Sequence, residues 1–456
     1  MTHPCSELSE AADPHGSNLA ADPVPDLSNQ PLKEGECRRV CFMLNLGGGS
    51  RYGHSLYEVK TKGGKILGKG GEFLEPVSKL FDTSNPHVRQ DHILAATRFN
   101  SRTKLYMLQY EGYSNCSTRK NYSYQAHTFD IMTRELKPFK PPEQHKTAAL
   151  LISAYGKLYH LAQPSAFEYG MPDPAFEVYD PHAGSWKRCS PFPRYGNKDW
   201  SSSNIRGHAI CYGCILVSVD EPPESPLWVY HVTLDKWSEV KIPIKEDSDY
   251  IYYTFAGKAV VIDDTIYAIS GIEEVITFSL MMKQMADGSI EYSVNKPRQL
   301  HGLRTCFFMD SDCYKRSECL VHLGGLNFCL LQSIMKYYNR QRVWITTFDI
   351  IYKEGKRRIR TLDTTMREID INCLGRFRIE SGFTLECEEE REIVSTSSMM
   401  QPTDDPRLCK LQQAVNDKIR KQIRRRRQKT SKPRSRKLAL LGNLFRPCRE
   451  PKFGVY

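Results

Sequence analysis

The amino-acid sequence predicts an all-β chain assembled from repeats of one four-stranded unit, and three observations carry that expectation. Aromatic residues make up 11% of the chain, with 24 tyrosines, a composition that favours strands over a helical bundle. From Cys37 onward short apolar runs alternate with Gly, Asp, Asn and Pro, and no long 3.6-residue periodicity occurs before the C-terminal tail. One strand–turn–strand pattern also recurs along the chain.

The unit is clearest in "TAALLISAYGKLYHLAQPS…AFEVYDPHAGSWKRCSPFP" (147–193): apolar strand, Gly turn, Tyr-rich strand, loop, strand, Asp turn, strand, Pro. The next copy is "RGHAICYGCILVSV…PLWVYHVTLDKWSEVKIP" (206–243), in which Trp228, Tyr230, Asp235 and Trp237 match Phe176, Val178, Gly184 and Trp186 across a slightly shorter turn. A third runs through "GKAVVIDDTIYAISG…EEVITFSLMMKQ" (257–284), closed near "SIEYSVNKP". Residues 91–142 and 318–362 fit the same grammar, and 38–76 fits it more loosely.

First strands centre near Phe42, Leu94, Leu150, Ala209, Val260 and Val321, so the spacing is 51 to 61 residues. That is close to the ~50-residue period of kelch units, each one four-stranded blade. Six units predict a six-bladed, kelch-like β-propeller over residues 37–390. A single blade cannot cover its own apolar faces, and packing blades around an axis covers them. "GRFRIESGFTLE" (375–386) is expected to close the ring against the first blade. The alternative is a pair of β-sandwiches with incidental hairpins.

Charge divides the chain. Residues 407–456 carry 17 Lys and Arg against Asp417 and Glu450, a net +15, while residues 1–406 carry 47 basic and 51 acidic residues. The body is faintly acidic and the basic character belongs to the tail. Residues 1–36 are polar and rich in Pro, Asp and Ser, so they are expected to be disordered. The start shows no basic segment followed by an apolar core, and no run approaches the ~20 apolar residues of a membrane span. Fifteen cysteines, an odd number, then read as reduced thiols, and the expected location is intracellular, in nucleus or cytoplasm, with no membrane partner.

"SECLVHLGGLNFCLLQSI" followed by "RVWITTFDIIYKEGKRRIRTLD" resembles the final blade of a plant, chiefly grass, family of uncharacterised kelch-like proteins. "CRRVCFMLNLGGGSRYGHSLYEV" (37–59) is similar to that family's opening strand pair. The resemblance spans roughly Cys37 to Cys387 and is most specific at 317–352. It implies a propeller and no particular activity. The Gly pair that kelch repeats place after the second strand is found at Gly324-Gly325 and within Gly47-Gly48-Gly49, with Ser270-Gly271 elsewhere. Residues 1–36 show no helical leucine pattern and no Leu-Pro start, so nothing in them resembles an F-box.

Three motifs invite chemistry. Gly63, Gly68 and Lys69 in "GGKILGKGG" have phosphate-loop spacing, but position 70 is Gly where a metal-binding hydroxyl belongs and Pro76 follows before a helix can run. Cys211-Tyr212-Gly213-Cys214 supplies two of the four ligands that structural zinc needs, and on a blade Tyr212-Gly213 is a turn. The histidines are scattered without an HxH or HExxH pattern, and His208 and His322 sit in or beside first strands. No catalytic, cofactor or metal residues are assigned.

The tail is the sharpest feature. Asp405-Pro406 makes a helix start, and Leu408, Leu411, Val415, Ile419 and Ile423 fall on one helical stripe. Behind them lies a basic cluster: Arg420, Lys421, Arg424, Arg425, Arg426, Arg427, Lys429, Lys432, Arg434, Arg436 and Lys437. Three readings fit it: binding to a nuclear-import receptor, contact with nucleic-acid phosphates, or a solvated extension of the chain. The expected organisation is therefore a disordered segment 1–36, a propeller 37–390, a linker 391–404 and a basic, partly helical tail 405–456. The expected function is a non-enzymatic protein-interaction module using one propeller face. Nucleic-acid binding through the tail is the alternative, and a propeller enzyme the third reading.

Overall fold

Strands follow the period-two alternation of the repeats. In β1 (Cys37–Gly48), Val40, Phe42 and Leu44 enter one apolar cluster while Cys41 and Met43 enter another. Both faces of the strand are buried, which is why it reads as an almost unbroken apolar run. The structure is a computed structural model that describes residues 36–385 apart from 49–50, 83–91, 99–102, 113–121, 144–145, 147–148, 165–172, 196–202, 221–224, 244–252, 271–273, 305–315, 335–339 and 371–375. All of these belong to one compact unit, Met1–Ser395. The expected segment before Glu36, the linker 391–404 and the tail 405–456 lie outside the described residues.

Every named element among the described residues is a β-strand. The first sheet contains β1, β2 (Arg51–Lys62), β3 (Lys65–Ile66) and β4 (Ser78–Asp82). The second runs β5 (His92–Arg98), β6 (Lys104–Gly112), β7 (Tyr122–Asp130), β8 (Leu136–Phe139), and the third β9 (Ala149–Ala154), β10 (Lys157–Ala162), β11 (Phe176–Asp180), β12 (Ser185–Arg188). Then come β13 (Ile205–Cys211), β14 (Cys214–Val219), β15 (Leu227–His231) and β16 (Lys236–Lys241). They are followed by β17 (Phe255–Ile262), β18 (Thr265–Ser270), β19 (Val275–Phe278), β20 (Leu280–Gln284), β21 (Ile290–Val294) and β22 (Arg298–Gln299). The last four-stranded sheet is β23 (Arg316–Gly324), β24 (Asn327–Ile334), β25 (Arg340–Lys353), β26 (Lys356–Asp370), and β27 (Arg376–Thr384) returns to the first sheet.

The fold is all-β, a propeller-like arrangement of four small sheets and one curled ten-stranded sheet. Strands β13 to β22 share that sheet because β13 and β17 pair in parallel at Gly207↔Gly257 and His208↔Lys258. A Cβ at position 207 would stand 2.5 Å from the Phe255 carbonyl oxygen, so only glycine lets the two backbones approach this closely. The second join is the parallel pair β16–β21 at Val240↔Tyr292.

Packing is face to face. Leu105 and Met107 of the second sheet meet Cys41, Met43 and Leu56 of the first. Leu108 and Ala126 meet Leu151, Leu158 and Trp186 of the third, and Tyr159 and Phe176 meet Ile215, Val217, Tyr230 and Trp237. Leu216 and Val229 pack on Phe255, Ile266 and Phe278; Val260, Tyr267 and Ile269 pack on Phe328, Leu330 and Phe348; and Val321, Leu331 and Ile345 pack on Val40, Phe42 and Tyr57. Strand β27 pairs antiparallel with β1 from Val40↔Thr384 to Gly47↔Arg376, as expected for 375–386. The strand at Phe42 is consequently second in its sheet, not first, because β27 lies inside it.

The segment 176–193 forms the hairpin β11–β12 at the outside of the third sheet, joined by the turn Asp180–Gly184. Asp180 Oδ1 accepts from the His182 and Ala183 amides at 3.0 and 3.4 Å. In the next copy Tyr230 faces Trp237 as Tyr179 faces Trp186. The turn is therefore the same length in both copies, and Tyr230 corresponds to Tyr179 rather than to Val178. Gly184 and Asp235 do correspond: both have positive φ, 59° and 47°.

Candidate interaction face

The two ends of the sheets are built differently. At one end the chain turns tightly, through Tyr155-Gly156 between β9 and β10, Tyr212-Gly213 between β13 and β14, and Glu354-Gly355 between β25 and β26, all with positive φ. At the other end lie the strand ends that bound most of the longer connections, including Gly112 and Tyr122, Phe139 and Ala149, Ala162 and Phe176, Arg188 and Ile205, Lys241 and Phe255, and Gln299 and Arg316. Antiparallel order alternates the ends, so these strand ends collect on one side of the molecule.

Described side chains fix the base of that side. The sharpest constellation is Lys146, from the connection before β9, with His160 of β10 and Glu177 of β11. All three are buried, with Lys146 and His160 at 0% exposure and Glu177 at 1%. Lys146 Nζ forms an ion pair with Glu177 Oε1 and lies 3.1 Å from His160 Nδ1. The Glu143 amide donates to Glu177 Oε2 at 3.4 Å, and Trp186 stands edge-on to the His160 ring at 6.0 Å. Burial by itself raises a carboxyl, but His160 and Lys146 outweigh it and hold Glu177 below its usual range. Burial lowers Lys146 against the pull of Glu177. The connection is thus anchored by a desolvated cation.

Further round the same end, Gln163 makes a two-point contact with the Ile205 backbone: Nε2 donates to O at 3.1 Å and Oε1 accepts from N at 2.6 Å. Asp220 accepts from the Asn204 amide at 2.5 Å and pairs with Arg206. Tyr195 donates to the Ala162 carbonyl at 2.5 Å. Ser317 Oγ accepts from the Ile379 amide at 2.9 Å and donates to its carbonyl at 3.0 Å. Beside the β13–β17 bridge, His208 is pushed down to about 3 by burial and then by the Lys258 charge, so it is neutral.

The basic cluster Arg420–Lys437 lies outside the described residues. Gly63 and Gly64 turn the chain between β2 and β3 with φ of 55° and 82°. The following loop lies along β26: Gly71 donates to the Met366 carbonyl at 2.9 Å, Leu74 to the Glu368 carbonyl at 2.8 Å, and Ile66 to Asp363 Oδ2 at 2.8 Å. The Lys69 amide is taken by Glu72 Oε2 at 3.1 Å. These glycines bind strand to strand, as the blade frame expects, and reach further, onto the last sheet. Cys211 and Cys214 face each other across the Tyr212-Gly213 turn. Burial pushes the Cys214 thiol up to about 12, and it donates to the Tyr292 hydroxyl at 3.9 Å. Among the described residues no group of three His, Cys, Asp or Glu is placed to hold a metal ion.

Sequence reasoning did not find the Lys146–His160–Glu177 constellation. Its members are separated by 14 and 17 positions and follow no motif spacing. The one available signal was Glu177, which falls where the next copy carries Trp228. No protein-family model matches the chain, and no curated protein matches it either.

Proposed function

We propose that the chain is a non-enzymatic, six-bladed kelch-like β-propeller that binds a partner protein at the end where the longer connections collect. The blade count is supported by the six apolar clusters that join consecutive four-strand runs. It is supported as well by the succession of first strands, β5 beside β9, β13 beside β17, β17 beside β23, β23 beside β27, and β27 beside β5. Membership of the plant kelch-like family rests on residues 37–59 and 317–352.

One observation carries the binding reading: the strand ends that bound the long connections gather on one side, over a base of anchored polar side chains, while tight turns occupy the other. Scaffolds that position loops on a fixed frame are suited to recognition. The test is proximity labelling with the full chain, compared with a chain whose segments 113–121 and 165–172 are replaced by Gly/Ser of equal length. Circular dichroism checks that the exchanged chain is folded. Loss of the labelled partners is expected; an unchanged labelled set from a folded exchanged chain overturns the reading.

An intracellular location accords with the free thiols Cys37, Cys41, Cys189, Cys211, Cys214, Cys319 and Cys329. The basic run 420–437 is assigned to an import receptor on its charge density, with nucleic-acid phosphates as the alternative ligand.

A further inference from the structure

Strand β20 ends the ten-stranded sheet, with β21 on one side and no strand on the other among the described residues. It belongs to a lengthened hairpin, β19–β20 returning as β21–β22, that bends at Ser279 and lays β21 along β16. Hydrogen-bond alternation fixes which backbone groups face the open side. The Met285 amide donates to the Ser289 carbonyl at 2.8 Å and the Asn295 amide to the Ser279 carbonyl at 3.3 Å. The register runs from Leu280↔Val294 to Gln284↔Ile290. Antiparallel pairing then turns the N–H and C=O groups of Met281 and Lys283 inward and those of Leu280, Met282 and Gln284 outward.

β8 and β12 are blunted more heavily than β20, whose one charge is Lys283: β8 adds Pro138 to Lys137, and β12 carries both Lys187 and Arg188. The outer side of β26 is covered by 66–74 and by 301–304, where Ile359 donates to the His301 carbonyl at 2.9 Å and Arg304 to Thr361 Oγ1 at 2.8 Å. β20 instead exposes Met281 at 47%, Met282 at 44% and, at its turn, Met285 at 37%. Methionine is the adaptable side chain of recognition surfaces, and an open strand edge is a template for another strand. The edge is also held firmly. Leu280, Tyr292 and Val294 are buried in the core, and Asp287 Oδ1 closes the turn on the Ser289 amide at 2.9 Å.

Charge selects the occupant. Lys283 lies opposite Glu291, but Glu291 is ion-paired with Lys241 of β16. Lys283 is exposed and makes no ion pair among the described residues. A second copy of β20 would bring another lysine and no carboxylate. We propose that β20 is a strand-addition site for an extended partner peptide, apolar at alternate positions, with a carboxylate beside Lys283. This surface is distinct from the side bearing the long connections.

The test is amide hydrogen exchange of the full chain, read by mass spectrometry, with two ten-residue peptides of alternating Val and Thr. One carries a central Asp and the other a central Lys. The Asp peptide should slow exchange at 280–284 and bind roughly tenfold more tightly than the Lys peptide, about 1.4 kcal/mol. Met282→Pro removes an outward N–H and no bond within the sheet, so it should abolish protection while the melting curve stays cooperative. Lys283→Glu, which leaves the backbone intact, should invert the preference between peptides. Absence of protection, or equal protection by both peptides, overturns the proposal. Concentration-dependent protection without peptide also overturns it, in favour of a second copy of the chain.

Discussion

The indole N–H of Trp186 donates to the backbone carbonyl of Lys140 at 2.9 Å, tying the last strand of the third sheet to the chain leaving the second. Trp237 makes the same bond, at 2.9 Å, to Ser190 one copy later. Asp235 adds to the second tie, accepting from the Ser190 amide at 2.8 Å and from the Tyr230 hydroxyl at 2.6 Å. The repeated tryptophan is therefore a staple between neighbours, and its ring fills the space between Leu108, Ala126, Leu151 and Leu158.

Trp186→Phe keeps most of that volume and removes the bond, so it should cost about 1 kcal/mol. Trp186→Ala removes both and should cost about 3–5 kcal/mol. Urea unfolding of the two variants separates the contributions; an unchanged stability in Trp186→Phe would show that the bond carries nothing, and equal losses that the packing carries nothing.

Lys146→Met should destabilise the chain by about 3–5 kcal/mol, because Glu177 is left buried without its cation. Adding Glu177→Gln should recover much of that loss, since an amide tolerates burial better than a carboxylate. Additive losses in the double variant, measured by denaturant unfolding, would contradict the ion-pair assignment.

His208 sets a pH dependence. Its folded pKa, about 3, lies below the ordinary 6.5, so the folded state binds fewer protons than the unfolded chain in the interval between them. Stability is full above about pH 6.5 and falls as pH drops, by about 1.4 kcal/mol per unit. His208→Gln should remove that slope between pH 6 and 5, a range above the loss expected from Glu177, whose depressed carboxyl contributes stability until pH falls below its ordinary 4.5. Identical slopes in the two proteins would mean that His208 is not buried neutral.

Gly302 has φ of 110°, and a Cβ there would lie 2.3 Å from the Ile359 carbonyl oxygen, a backbone atom that cannot step aside. Gly302→Ala should cost more than the roughly 1–3 kcal/mol of a strained φ alone. Gly184→Ala, with positive φ and nothing within 4 Å, is the comparison that isolates backbone strain. Thermal melts of the pair should rank Gly302→Ala as the more damaging.

Deleting residues 407–456 from a fluorescent fusion should abolish nuclear accumulation. An unchanged distribution removes the import assignment. If the tail instead contacts nucleic acid, its binding should weaken steeply with added salt.

The strand pattern was legible because the faces of each sheet are apolar and the turns are marked by Tyr-Gly, Asp and Gly at fixed places. Leu94, Leu150, Ala209, Val260 and Val321 all fall in first strands. The return of β27 was legible from its own alternation, but the displacement of Phe42 to second place was not, because it depends on β27 pairing with the side of β1 away from β2. What escaped depends on approach between copies. The parallel pairing at Gly207 and Gly257 needs two bulged strands to meet, and no local pattern announces it. The Lys146–His160–Glu177 group escaped because a lysine before an apolar strand ordinarily reads as solvated. β20 is legible as a strand, but its open, methionine-lined edge depends on where β21 docks.

A photo-crosslinking side chain placed in turn at Asp173 and Arg378, exposed positions at the end bearing the long connections, and at His182 and Thr133, exposed positions at the tight-turn end, tests the binding face directly in cells. Adducts with one partner protein from Asp173 and Arg378, and none from His182 and Thr133, are the expected result. Adducts confined to the tight-turn positions, or equal from both ends, would contradict the proposed face.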